Sequence, residues 1–295
     1  MSSNKQNKLS EEEVEQFYRI KHALYLFANK KLNILTSKAD FDDVRNNDLD
    51  VLVKVRDYVF RKNPSIIDEF IQVNPYDFSK DDLEILQTWK KSILADKFII
   101  FRHTKDHSLL FGEDNVYGVV GLMDSFEELF GKTIPLFLDL IILPFKDKLT
   151  HEGICMPYNI SIGRSMSDGI MSEAEEIILK KGVMTSLDKK ENESSDEELL
   201  RFYMKSEKNQ EFFFEKIEEL KDKSANLKAV FNNEVARINS RHIKKQLKLQ
   251  SVTGHFAILF SQVIASGRTK KELEENLNSI VPKQRLDELY YISIK

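Results

Sequence analysis

The chain has no glycine before Gly112 and only one cysteine, Cys155. Helix interiors exclude glycine, so a glycine-free stretch of that length favours helices over turns. Eight of the ten glycines fall between Gly112 and Gly182, and only Gly254 and Gly267 follow. A turn- and strand-rich centre is therefore expected between two helical regions. One cysteine excludes an intramolecular disulfide and a Cys-rich zinc site. Cys155 itself reads as a small apolar residue in a strand. Long hydrophobic runs are missing too. The greasiest, Ile134 to Phe145, spans twelve residues and contains Asp139 and two prolines. A membrane-spanning helix takes roughly 20 apolar residues, so this run is expected as a buried strand. The opening residues, MSSNKQNKLSEEE, lack the apolar core of a signal peptide. A cytoplasmic protein that avoids membranes is expected, and no complete catalytic, metal or cofactor motif is found.

What is present suits a packed globule. Of 295 residues, 41% are apolar and 31% charged, with Phe alone contributing 20. The formal charge of −4 argues against nucleic acid as a partner of the whole surface, which leaves a local basic patch as the route to one.

The expected fold is α+β. Residues 1–92 read as a helical bundle. Ser10 and Glu13 form a capping box, and Val14, Phe17, Tyr18, Tyr25, Ala28 and Leu32 keep one apolar face. Further helices fit Val44 to Lys62, Pro64 to Val73, and a segment capped by Ser79 with Leu83, Leu86 and Trp89 inward. Residues 93–185 read as an antiparallel β-rich module. Phe98 to Arg102 and Ser108 to Phe111 suggest a hairpin around His103 to His107. Val116 to Leu122, Leu136 to Leu143 and Ile154 to Ile162 suggest further strands, and Ser125 caps one helical turn. A closing helix is expected from Asp168 to Lys181, stopped by Gly182.

Residues 186–198 are polar and acidic and read as a linker or mobile loop. Residues 199–295 are expected to be helical. There Phe213, Ile217, Leu220, Ser224, Leu227, Phe231, Glu234 and Ile238 alternate steps of four and three, the spacing of a coiled-coil seam. One uninterrupted helix from Lys208 to Leu249 would be about 60 Å long. Its seam would meet either the chain's own helices or a second copy. Phe256 to Ile264 is expected as another helix, followed by a capping box at Thr269 and Glu272 and a short helix opened by Pro282.

The central module, about residues 112–187, carries Val116-Tyr117-Gly118-Val119, Gly121-Leu122, Leu143-Pro144-Phe145-Lys146, Glu152-Gly153, Tyr158-Asn159-Ile160-Ser161 and Val183 to Leu187. In these residues it resembles a module of uncharacterised prokaryotic proteins, some of which appear beside SEC-C-type metal-binding segments. The resemblance implies a shared module in a prokaryotic protein and supplies no catalytic residues. This chain lacks the several cysteines that a SEC-C segment needs.

Three groups of polar residues are candidates for function. Gly163 to Gly169 joins an expected strand to an expected helix, where free N–H groups, Arg164, Ser165 and Ser167 would suit a phosphate or carboxylate. A nucleophile elbow would need glycine where Ser167 stands, and Ser167 or Asp168 as a plain N-cap is the simpler expectation. His103, Asp106, His107 and His151-Glu152 offer metal-ligand atoms in turns, but polar turn residues explain them more simply. Ala236 to Gln250 contains no acid, and Arg237, Arg241, Lys244, Lys245 and Lys248 fall within about 100° on a helix. Such a stripe would track phosphates, or pair with the acidic region 188–222, which has twelve acids against seven bases. The expected function is a non-enzymatic interaction or regulatory protein with a protein partner or a second copy of itself. A nucleic-acid-associated protein is the alternative, and an enzyme or anion sensor using residues 163–169 is the third reading.

Overall fold

The computed structural model describes residues 7–34, 49–186 and 194–295. The fold is α+β, and it divides into two compact units, residues 1–191 and 192–295.

The first unit begins with α1 (Glu11–Leu32), whose Ser10 cap and Glu13 complete the expected capping box. Next come α2 (Leu49–Asp57), which runs on as a π-turn over Tyr58–Lys62, then α3 (Ile66–Val73) and α4 (Lys80–Lys91). The expected start of the second helix, residues 44–48, lies outside the described residues. The strands are β1 (Leu94–His103), β2 (Ser108–Gly112), β3 (Asn115–Val120), β4 (Leu136–Phe145), β5 (Lys148–His151) and the two-residue β6 (Met156–Pro157). The single turn α5 (Phe126–Phe130) precedes β4, capped by Ser125 as expected.

Strand order is β1-β2-β3-β5-β4, and β4 also pairs with β1, so five strands close into a small barrel with β6 added beside β4. Closure removes sheet edges that would otherwise invite pairing with other chains. All neighbours are antiparallel except β3 and β5. Phe98, Ile100, Leu110, Tyr117, Leu138, Leu140, Ile142 and Leu149 fill one core cluster with Phe126 of α5. The alternate residues of β4, Ile141, Leu143 and Phe145, pack instead with Phe17, Leu24, Phe60 and Trp89 of the helices. The Trp89 indole N–H donates to the Pro144 carbonyl at 2.8 Å. Helical bundle and β-rich module, expected as separate domains, thus share one core. A helix, α6 (Arg164–Lys181), lies over a third cluster containing Phe101, Leu109, Val116 and Ala174. It stops at Gly182, whose φ of 78° suits glycine.

Two expectations in this unit need correction. The return strand Ile154 to Ile162 reduces to Met156–Pro157, because Gly153 at φ 119° turns the chain just before it and Pro157 has no N–H to give to a ladder. Cys155 accordingly lies between strands, not within one. The closing helix also starts four residues early, at Arg164, with Gly163 as N-cap.

In the second unit, the expected linker is already helical at its end. Residues 187–193 lie outside the described residues, but Ser195 with Glu198 forms a capping box that opens α7 (Asp196–Tyr203). The expected 60 Å helix is three helices: α8 (Glu207–Phe212), α9 (Phe214–Lys221) and α10 (Ala225–Leu249). Ser224 is no seam residue. Its hydroxyl accepts from the Leu227 N–H and starts α10, so the polar Asp222-Lys223-Ser224 segment breaks the chain there. Phe213, Ile217, Leu220 and Leu227 are nevertheless buried, and α7, α9 and α10 pack on one another. The heptad residues therefore cover one another through folded-back helices of the same unit.

The expected helix at Phe256 to Ile264 is a β-hairpin, β7 (Gly254–Leu259) and β8 (Gln262–Gly267), turning through Phe260 at φ 53°. A short apolar run does not discriminate helix from strand by period, and the flanking glycines were the better signal. With β9 (Tyr290–Ile294) the hairpin makes an antiparallel sheet in the order β8-β7-β9. One cluster joins Phe256, Ile258, Ile292 and Ile294 to Ala236 and Ile243 of α10. Another joins Ala257, Ala265 and Leu289 to Leu273 and Leu277 of α11 (Lys270–Ile280). The segment after Pro282 is a 3₁₀ turn, Lys283–Glu288, instead of the expected α-helix.

Ile217 and Leu220 are buried inside this unit, so Ile217→Asp with Leu220→Asp places two uncompensated charges in its core. The double variant should lose the cooperative urea transition of residues 192–295 and keep that of the first unit. Sedimentation that instead shows a folded chain of halved mass would place these residues between two copies.

Candidate functional site

Residue 21 lies on the apolar face of α1, four residues after Phe17 and four before Tyr25, yet it is a lysine. Its ammonium is nearly covered, and it meets Glu152 on the loop after β5. Lys21 Nζ donates to the Glu152 carbonyl at 3.0 Å and lies 3.4 Å from the Glu152 carboxylate. The carboxylate also accepts a short hydrogen bond from the Tyr25 hydroxyl and one from the Ile154 N–H at 3.3 Å. Lys21 Nζ further sits over the Tyr18 ring, 4.8 Å from its centroid. Glu152 is fully buried, and these donors supply its side-chain oxygens with partners in place of water. The next residue, Gly153, has φ 119°, and a Cβ there would stand 2.9 Å from the Lys21 ammonium. Only glycine lets the loop approach this closely.

Beside this pair, His151 ends β5. Its Nδ1 lies 3.3 Å from Cys155 Sγ, its ring packs against Phe126, and its Nε2 has no hydrogen-bond partner among the described residues. Burial and the nearby Lys21 charge push the imidazole down to about 3, so it is neutral at physiological pH. Burial and the Glu152 charge push the Cys155 thiol up to about 12. Burial, followed by Glu152, also holds the Tyr25 phenol well above its ordinary value. A neutral imidazole beside a protonated thiol is the reverse of an activated thiolate pair. The cluster is therefore built to hold charge still, not to attack.

Lys21 and Tyr25 line a cleft of about 880 Å³, together with Leu9, Val14, Tyr18, Leu52, Met123 and Ile154, while Glu152 does not reach it. The sequence marks His151, Glu152 and Cys155 singly but not the pairing of Glu152 with Lys21. The one signal available was Lys21 itself, a cation in register with apolar residues.

Apart from His151 and Glu152, the residues singled out from sequence are placed elsewhere. Arg164, Ser165 and Ser167 stand in the first turn of α6, the first two exposed. The cap is Gly163, with no side-chain capping bond, so neither Ser167 nor Asp168 is the N-cap. The Ser167 N–H is already bonded to the Gly163 carbonyl at 3.0 Å. His103 Nδ1 pairs with Ser108 Oγ at 2.9 Å, and burial lowers its pKa. His151 is buried within the barrel side, away from the turn chemistry expected of it. Among the described residues no group of three His, Cys, Asp or Glu is placed to hold a metal ion.

The basic stripe lies on α10, where the structure divides it. Arg237 is bound to the buried Glu234 and donates to the Met204 carbonyl at 3.3 Å. Arg241, Lys244, Lys245 and Lys248 are exposed and form no ion pair among the described residues. Among the described residues, the stripe thus forms no ion pair with the part of the acidic region from 194 to 222. Instead Lys223 meets Asp196 at 3.3 Å, and Arg201 meets Glu197 and Glu234, each at 2.9 Å. Comparison of the chain with known protein families, curated proteins and solved structures yields no match.

The state of His151 has a measurable consequence. Unfolded, this imidazole takes up a proton below about 6.5; folded, it does so only near 3. Between those values the unfolded chain binds more protons, so stability falls as pH falls through the window, by ~1.4 kcal/mol per unit at most. Urea unfolding should show this slope in the wild type and a shallower one in His151→Gln. Parallel profiles would mean that His151 titrates normally in the fold. Cys155 should also react with a disulfide reagent at pH 8 only after unfolding, since its folded thiolate fraction is ~10⁻⁴.

Proposed function

We propose that the chain is a non-enzymatic interaction protein whose partner is duplex nucleic acid, engaged through the basic face of its second unit. The observation that carries this reading is the charge distribution between Glu234 and Glu272. That stretch holds Arg237, Arg241, Lys244, Lys245, Lys248, Arg268, Lys270 and Lys271 and no Asp or Glu. The Arg237 charge is neutralised within the fold, whereas Arg241, Lys244, Lys245 and Lys248 point their charge to solvent from one helix. Pairing of His255 with Gly267 sets Arg268 at the end of the sheet where β7 leaves the carboxyl end of α10. Arg268 and Lys270 are exposed as well, so the positive surface extends past the helix. Four or more unpaired cations on a 25-residue helix suit a phosphate backbone read without base specificity. The protonated thiol and neutral imidazole in the first unit support the non-enzymatic part of the reading.

A protein partner, or a second copy of the chain, is the second reading. The observation in its favour is Phe212 and Phe214, 50% and 61% exposed on either side of the α8–α9 junction. Two large aromatics this close together make an adhesive patch.

Fluorescence anisotropy with a labelled 20-base-pair duplex tests the leading reading. Four phosphate contacts imply a log–log salt slope of about −3.6, hence roughly 10²-fold weaker binding at 200 than at 50 mM salt. Arg241→Gln, Lys244→Gln, Lys245→Gln and Lys248→Gln together should abolish binding while leaving the melting temperature within a few degrees. No duplex binding at 50 mM salt, or binding indifferent to salt and to the four substitutions, would reject it. If Phe212→Ser with Phe214→Ser lowers the sedimenting mass, the second reading takes its place.

A further inference from the structure

We infer that the cleft beside α1 in the first unit binds a small molecule with an apolar body and a single carboxylate, its carboxylate held by Lys21. This inference is independent of the nucleic-acid reading, because it concerns other residues in another unit. Its volume, about 880 Å³, falls in the range of small-ligand pockets. The walls are mostly apolar, with Val14, Leu52, Met123 and Ile154 around the Tyr18 and Tyr25 rings.

The charge presented to the interior is positive. Glu152 is wholly covered, and its oxygens already accept from Tyr25, Ile154 and Lys21. Lys21 both lines the cleft and keeps a small share of its side chain, 7%, accessible from it. An ammonium has three N–H donors. The Glu152 carbonyl accepts from one, while the carboxylate stands at ion-pair distance, 3.4 Å, and the Tyr18 ring lies beside the ammonium. A ligand carboxylate would therefore take an N–H that no protein oxygen accepts. A charge-assisted bond in so dry a place is stronger than its counterpart in water.

The rim limits how much negative charge can enter. Glu11 and Glu15 line the cleft and are exposed, and Lys8, which also lines it, is paired with Glu128. A polyphosphate would meet these acids, whereas one carboxylate on an apolar body passes them and reaches the single cation at the floor. Gly153 strengthens the assignment. Its left-handed backbone allows the ammonium to lie against the loop, which fixes the cation where the cleft ends. A fold that wanted only packing at residue 21 would do better with an apolar side chain than with a buried ion pair.

The experiment uses the full chain and the fluorescent anion 8-anilinonaphthalene-1-sulfonate as reporter, displaced by octanoate, octanol or octylammonium. The wild type should bind the reporter saturably at one site. Octanoate should displace it at least tenfold better than octanol, and octylammonium should be weakest. Lys21→Met should erase the advantage of octanoate over octanol, and Val14→Trp, which fills the cleft, should weaken both. Circular dichroism checks that each variant is folded. If Lys21→Met does not fold, the order of the three competitors on the wild type together with Val14→Trp still decides. Equal displacement by octanoate and octanol, no saturable reporter binding, or full octanoate affinity in folded Val14→Trp would each overturn the inference.

Discussion

Strand β4 must be apolar on both faces, and the first unit is organised around that constraint. Leu138, Leu140 and Ile142 face the barrel interior, while Ile141, Leu143 and Phe145 face the helices. A strand side chain alternates sides with a period of two, so a one-residue slip would exchange the two sets. Among the described residues of this unit, the helices have only this sheet to cover. Each large side chain buried there contributes about 1.5–3 kcal/mol, and the barrel and helices gain it only together. That is why residues assigned to two domains by composition form one unit.

The polar cluster is an interruption of that same core. Lys21, Tyr25 and Glu152 lie where α1 meets the end of β5, amid residues that would otherwise be apolar. Removing one member of a buried pair leaves the other uncompensated, at about 3–5 kcal/mol, whereas replacing both is often neutral. Stability alone therefore gives little reason for the pair. Its position at the floor of a cleft gives a better one. The neighbouring Cys155 and His151 add no reactivity, because burial keeps the first protonated and the second neutral.

In the second unit, helix α10 serves two surfaces at once. Ala236 and Ile243 lie against the sheet, and Leu227 and Val230 are buried nearer the amino end of the helix. Arg241, Lys244, Lys245 and Lys248 occupy the remaining face. The same periodicity that buries one side of a helix concentrates whatever is charged on the other. Glu234 marks the border. It is buried, and it binds both Arg201 and Arg237, which leaves Arg241, Lys244, Lys245 and Lys248 on that face for a partner.

Local chemistry made part of this legible from the amino acids alone. The capping box at Ser10, the cap at Ser125, the stop at Gly182, the hairpin of Phe98 to Phe111 and the doubly apolar strand after Leu136 each depend on residues near in sequence. So does the basic stripe, since residues four apart share a helix face. Long-range choices were not legible. The barrel closes through a pairing of Leu94–Ile100 with Leu136–Ile142, which no local pattern announces. The heptad alternation from Phe213 to Ile238 is real as a burial pattern, but Ser224 acts as a cap and folds the chain back, so the seam closes on its own unit. Phe256 to Ile264 could satisfy either period, and pairing with Tyr290–Ile294 made it strand. Lys21 is the sharpest case. Its sequence neighbours mark it only as a lysine on an apolar face, and its partner Glu152 lies 131 residues away. Only the tertiary structure could bring that carboxylate to it, because a buried charge is tolerated solely where the fold supplies its counterion.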